Sequence, residues 1–262
     1  MKKFALLLLA APLVLAACGG GSSSSVKVDP LAYVKHAASR TAAITSEHMT
    51  VSATVSAAGQ NVSMQGSGDY VNKPLKSTMD MSMTLMGRDI TFRGVQDGTV
   101  IYVNSPLFAS QLPSGKTWMK IDLAKFGSAA GINYSSLMSR SPTQALQQIE
   151  AAGSVKTVGS ETIDGVQTTH YQITNLDLSK LPQGAKLQAL GNINYGPIDV
   201  WIGNKDGYVY RESASFTTSV SGQSASMSMK SDFSKFGEKV NVTVPPASAV
   251  FDASSLAGGL GG

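Results

Sequence analysis

In the stretch "MDMSMTLM", Met79 to Met86, apolar and polar residues alternate strictly. In an extended strand Met79, Met81, Met83 and Leu85 share one face, while Asp80, Ser82 and Thr84 share the other. The same alternation runs through Met49, Val51, Ala53 and Val55. It turns at Gly59-Gln60-Asn61 and resumes at Val62 and Met64, which reads as a hairpin. A turn near Gly87-Arg88 leads into a strand carrying Ile90 and Phe92. "QDG" then turns into "TVIYVN", and "TWMKIDL" follows. Short period-two segments joined by short turns predict an antiparallel meander, one face of which has to be covered.

Two segments break the pattern. In "DPLAYVKHAASRTAAI", Asp29 is placed to cap a helix and Pro30 suits its first position. Leu31, Val34, Ala38 and Ala42 fall on one helical face. Further on, Ser141, Pro142 and Gln144 form a second helix start, Ala145, Leu146 and Ile149 its apolar side, and Gly153 its end. A short helix over 131–139 precedes it. The strand pattern returns in "VKTVGSETIDGVQTTHYQITNL", with an Asp164-Gly165 turn. The less regular "DLSKLPQGAKLQALGNINYG" reads as a loop or short helix. Strands resume from Ile198, with turns at Asp206-Gly207 and Gly222, and "VNVTVPP" closes the domain. The expected fold is α+β: a largely antiparallel sheet with a few helices covering one face.

The N-terminus sets an expectation about compartment. Lys2 and Lys3 precede the apolar "FALLLLAAPLVLAA", shorter than the roughly 20 residues a membrane span needs and interrupted by Pro12. "LAAC", Leu15 to Cys18, resembles the lipobox of bacterial lipoproteins, where cleavage before the cysteine is followed by attachment of a diacylglyceryl group. Cys18 is the only cysteine in the 262 residues, so no internal disulfide can form. The expected organisation is a signal peptide over 1–17, a lipidated Gly/Ser-rich tether over 18–28, one folded domain over 29–252 and a disordered tail over 253–262. The formal charge of +4 falls close to neutral once Lys2 and Lys3 are removed. No Lys/Arg cluster points to nucleic acid.

Motifs for chemistry are sparse. "SGKT" at Ser114–Thr117 lacks the leading glycine of a phosphate-binding loop, since position 110 is serine, and a strand-like segment follows it. His36, His48 and His170 have neither an HExxH spacing nor a cysteine pair beside them, so no zinc site is expected. His170 fits a hydrogen-bonded structural role in its strand. No serine stands in a G-x-S-x-G elbow, and the acidic residues are scattered. A Met-x-Met-x-Met segment can bind Cu(I) through its thioethers. On one strand, however, the sulfurs stand about 6–7 Å apart, too wide to clamp one ion. No cofactor is expected.

Strand parity gathers Met49, Val51, Val55, Val62, Met64, Met79, Met81, Met83, Leu85, Ile90, Phe92, Met227 and Met229 onto one sheet face. A rigid core prefers branched side chains in fixed rotamers. Unbranched, polarisable methionines suit a surface that accepts variable apolar shapes. These residues are therefore the candidate lining of a hydrophobic cavity.

"GSETIDGVQTTHYQITNLDL", "IDVWIGNKDGYVYRES", "FSKFGEKVNVTVPP" and "TWMKIDL" together resemble the actinobacterial LppX/LprA/LprF/LprG lipoprotein family. The resemblance implies a half-barrel of antiparallel strands wrapped around a few helices, similar to LolA and LolB. It also implies a non-enzymatic role: holding acyl chains of phospholipids or glycolipids and carrying or presenting them across the envelope. The implied partners are an acyl lipid or glycolipid and the cell membrane reached through Cys18 on its extracytoplasmic face; an envelope lipid transporter is a further one. The Gly-rich stretches "GINYSSLM" and "LPQGAKLQALGNINYG" are candidate entrances. The alternatives are a structural or signalling envelope lipoprotein without ligand, a lipid-ester hydrolase and a Cu(I)-binding protein.

Overall fold

The computed structural model describes residues 29–57, 59–85, 87–125, 153–176, 192–220 and 223–254. One helix, α1 (Pro30–Ala42), precedes six strands: β1 (Ser46–Ala57), β2 (Gln60–Asn72), β3 (Leu75–Leu85), β4 (Arg88–Asp97), β5 (Val100–Asn104) and β6 (Trp118–Asp122). Five more form a second run: β7 (Ser154–Ile163), β8 (Val166–Thr174), β9 (Asn192–Gly203), β10 (Val209–Val220) and β11 (Gln223–Ser234). The three-residue β12 (Val250–Asp252) ends the order.

All twelve strands form one sheet in the order β12-β6-β5-β4-β3-β2-β1-β11-β10-β9-β8-β7. Each run is a local meander, and the two are joined by the antiparallel pairing of β1 with β11. The sheet is open and curved. Its turns follow from residues that tolerate left-handed backbone: Asp164 and Gly165 have φ of 47° and 81° between β7 and β8.

The architecture among the described residues is mostly sheet, so the expected α+β description holds only in part. The helices expected over 131–139 and 141–153, and the candidate entrances "GINYSSLM" and most of "LPQGAKLQALGNINYG", lie outside the described residues. The last residues of the second entrance do not form a loop. β9 starts at Asn192, six residues before Ile198, because Tyr195 and Asn194 pair with Phe216 and Thr217 of β10. The alternating Val240–Val244 segment joins no ladder. β12 instead pairs parallel to β6.

Asp29 caps α1, its Oδ1 accepting from the Leu31 N–H at 3.1 Å. The buried face of α1 is Val34, Ala37, Ala38 and Thr41. It is rotated slightly from the expected Leu31-Val34-Ala38-Ala42 stripe, and it includes a polar residue for a definite reason. The Thr41 Oγ1 donates to the Ala37 carbonyl at 2.8 Å and accepts from the Val209 N–H at 3.0 Å. That stitches the helix to β10 without leaving a buried polar group unpaired. α1 lies on one sheet face, hereafter the inner face, where it packs with Met49, Tyr171, Ile173, Ile198, Val200, Ile202, Val209 and Phe233.

Candidate functional site

The inner face has two halves of different character. Across β8 and β9 it is closed: Ile173, Val200 and Ile202 are 0% exposed and Ile198 is 6% exposed. Across β1 to β4 it is apolar but only half-covered. Val51, Val55, Val62, Met64, Met79, Met81, Met83, Ile90 and Phe92 are all partly exposed, while Met49 and Ala53 are buried.

The strand register brings the predicted residues together. Ala53 faces Met64, Met64 faces Met83, and Met83 faces Ile90. On the other side Ala53 faces Met229, and Val55 faces both Met227 and Val62. Met229 is 38% exposed, the most open of the group. Met49 and Met79 flank Gly68, and Val51 and Met81 flank Gly66. Leu85 ends β3, and its side chain lies outside the described residues. Cys18 does too. Among the described residues no helix is long and apolar enough to cross a membrane.

The two glycines of β2 shape this half. A Cβ on Gly66 would stand 2.8 Å from the Met81 Cγ, so the methionine side chain lies over the glycine. At Gly68 a Cβ would stand 2.0 Å from the Thr78 carbonyl oxygen, an overlap with backbone. Glycine at this point lets β2 and β3 approach and the sheet bend.

Two acids share this apolar side, and neither is among the lining residues expected from the sequence. Glu47 shares the face of Met49, and Glu212 shares that of Ala214 and Phe216. Glu47 is 0% exposed. The Glu212 Oε1 is shut off from solvent and has no hydrogen-bond partner. Burial, reinforced by the nearby Glu47 charge, pushes the Glu212 carboxyl up to about 8, so it is predominantly neutral at pH 7. Burial and Glu47 likewise push the Tyr70 phenol up to about 12. The sequence does carry a signal for both: an acid in phase with apolar neighbours in "RESASF" and in "EHMTV".

The outer face is hydrophilic. A groove of about 830 Å³ crosses it, walled by Thr50, Ser67, Asp80 and Arg93 on one side and by Ser52 and Gln65 on the other. It runs behind the Met81 row, and its walls offer hydroxyls and charges alongside atoms of Val51, Met81 and Phe92. The histidines of the sheet are tied down on this face. His48 Nδ1 lies 2.7 Å from Asp69 Oδ1, and His170 Nε2 lies 2.7 Å from Asp199 Oδ1. His170 also stacks on Trp201, with ring centroids 4.2 Å apart. Arg211, paired with Asp232, reaches over the same indole. These contacts suit a structural network.

The LppX_LprAFG lipoprotein family matches residues 29–242. The chain belongs to this family. Among solved structures it is similar to the lipoprotein LppX of Mycobacterium tuberculosis, with a TM-score of 0.50 and 22% identity over 81% of this chain and 97% of that one. LprF of Mycobacterium bovis aligns with a TM-score of 0.48 and 14% identity, over 82% of this chain and 96% of that one. A LolA superfamily protein of Nitrosomonas europaea aligns with a TM-score of only 0.28, too low to carry the LolA comparison further. In sequence the chain is 27% identical, over 54% of its length, to an uncharacterised 31.2 kDa protein of Streptomyces griseus, and matches 50% of that protein. A Streptomyces coelicolor protein named as a lipoprotein is 25% identical over 54% of this chain and 44% of its own length. The chain thus spans about half the length of the curated relatives it matches. What the LppX/LprAFG family shares with this chain at the level of structure is the open, curved sheet.

Proposed function

We propose that this protein binds the acyl chains of a lipid on the β1–β4 half of the inner face and carries or presents them at a membrane. Cys18 is the anchoring residue in this reading, bearing a diacylglyceryl group on the extracytoplasmic side. The supporting observation is the contrast within one face. Branched aliphatics close the β8–β9 part, while methionine, valine and phenylalanine leave the β1–β4 part apolar and partly open. An acyl chain in water costs about 0.8 kcal/mol per exposed CH₂, so such a surface competes with a bilayer once it excludes water. Two acyl groups at Cys18 would hold the domain at its source of lipid, where one would be marginal. The role is that of a carrier rather than a catalyst, and a membrane transporter is a reasonable recipient.

The test is direct. The full chain carrying Cys18→Ala is purified, extracted with organic solvent and analysed by mass spectrometry, and uptake of a fluorescent fatty-acyl probe is measured in parallel. Co-purified acyl lipid and saturable probe uptake are expected. A ligand-free protein that takes up no probe would overturn the reading. Filling the face should separate binding from folding. Met83→Trp should cut probe uptake several-fold, while its stability to denaturant falls by less than about 1 kcal/mol. In a closed core the same enlargement would cost about 1–3 kcal/mol.

A further inference from the structure

One row of the inner face crosses eight strands: Tyr171, Val200, Glu212, Ser231, Val51, Gly66, Met81 and Phe92, each paired with the next. Its two ends differ. Val200 is fully buried under the α1 side of the core, whereas Val51, Met81 and Phe92 belong to the half-open side. Glu212 stands where the closed part gives way to the open part. Its Oε1 is one of two buried side-chain oxygens or nitrogens without a partner among the described residues. The other, Asn72 Oδ1, sits at the end of β2, where the same amide donates to the Ile44 carbonyl at 2.8 Å. Only Glu212 carries its unmet bonding capacity onto the row that leads to the methionines.

A buried carboxyl oxygen without a partner costs about 1–3 kcal/mol. A guest that supplies the bond recovers that cost. A hydroxyl is the group best matched to the task, because it both donates and accepts and so satisfies a neutral carboxyl whichever oxygen holds the proton. An anionic group is matched worst. Glu47, fully buried and close enough to act on Glu212 electrostatically, makes this corner acidic. A phosphate or carboxylate here would face two acids in a medium of low dielectric.

We propose that Glu212, with Glu47 beside it, forms a polar subsite at the inner end of the lipid-binding face and selects an uncharged lipid bearing a free hydroxyl. This rests on the lipid-binding reading above and adds the class of lipid. The acyl chains lie along Val51, Met81 and Phe92; Oε1 is closed to solvent in this structure, so the hydroxyl reaches it by displacing the side chains that cover it.

The experiment uses three lipids with identical chains: dioleoylglycerol, with one free hydroxyl; trioleoylglycerol, with none; and dioleoyl phosphatidic acid, with a phosphate in its place. Each competes with a fluorescent acyl probe on the full chain carrying Cys18→Ala. Dioleoylglycerol is expected to compete about tenfold better than either of the others. Glu212→Leu should bring dioleoylglycerol and trioleoylglycerol within about twofold of each other, while Glu212→Gln, which keeps a donor and an acceptor, should preserve the order. Glu212→Met replaces the leucine variant if that one does not fold. Competition by all three lipids without a hydroxyl preference overturns the subsite and leaves the lipid-binding reading standing. So does a preference that survives Glu212→Leu. Competition by none of the three, together with no probe uptake, overturns both.

Discussion

Gly68→Ala is expected to destabilise the domain by about 3 kcal/mol or more, whereas Gly94→Ala should change stability by less than about 1 kcal/mol. Both glycines lie on the inner face, and both pair with Met79. At Gly68 the added Cβ would stand 2.0 Å from the Thr78 carbonyl oxygen, 2.9 Å from the Thr78 carbonyl carbon and 3.0 Å from the Met79 Cα. All three are backbone atoms, so no rotamer change relieves the overlap and β2 must move away from β3. At Gly94 the nearest atom is the Met79 carbonyl oxygen at 3.7 Å, an ordinary contact. Urea denaturation of the two variants reads the difference directly. Equal, small losses would show that β2 and β3 separate at little cost and that Gly68 does not set the bend. Because Gly68 lies between Met49 and Met79, flattening the sheet there would also move the two walls of the apolar face apart.

Much of this fold is legible in the sequence because strands and turns are local. Period two puts Met79, Met81 and Met83 on one face, and the register agrees, with Met64 and Ile90 opposite Met83. Asp164-Gly165 announces its turn through residues that accept positive φ. What local pattern does not supply is the join between the meanders. β1 pairs with β11 across nearly the whole domain, and no alternation names a distant partner. The apolar stripe of α1 misses its buried face by a fraction of a turn. Hydropathy excludes Thr41, yet Thr41 is buried because its hydroxyl satisfies the Val209 N–H. Glu47 and Glu212 are hidden by a similar assumption, that an acid in a strand points to water. Parity already places both with the methionines and valines. The burial of Glu47 and of the Glu212 Oε1 follows from phase, and hydropathy alone gives the wrong answer. The two glycines of β2 are readable as weak points in a strand, but only the register shows that Gly66 lies beneath the Met81 side chain.

Glu212 also makes a distinct prediction about pH. Its carboxyl titrates near 4.5 when unfolded and is pushed up to about 8 in the folded chain, by burial first and by Glu47 second. Between those values the folded state holds a proton that the unfolded state has released, so stability falls as pH rises. The loss begins above about pH 4.5, continues to about pH 8 and then levels off, because both states are ionised beyond that point. Its full size is of the order of 5 kcal/mol, since each tenfold change in proton affinity is worth about 1.4 kcal/mol. Tyr70, pushed up to about 12, adds a similar fall only above pH 10, outside this window. Glu212→Gln removes the titration. Its stability should match the parent near pH 4 and exceed it by a few kcal/mol near pH 8.5, as read from denaturation midpoints at each pH. A parent and variant with parallel pH profiles between 4.5 and 8 would show that Glu212 is solvated and ionised in the folded protein. That result would also remove the physical basis for a neutral carboxyl facing the lipid. If the profiles diverge as expected, the glutamate lowers the stability of the unliganded domain at neutral pH. A glutamine would fold more stably there while still offering a donor and an acceptor to a guest. The carboxyl's unmet hydrogen bond, on the row leading to Met81, is where a guest would supply it.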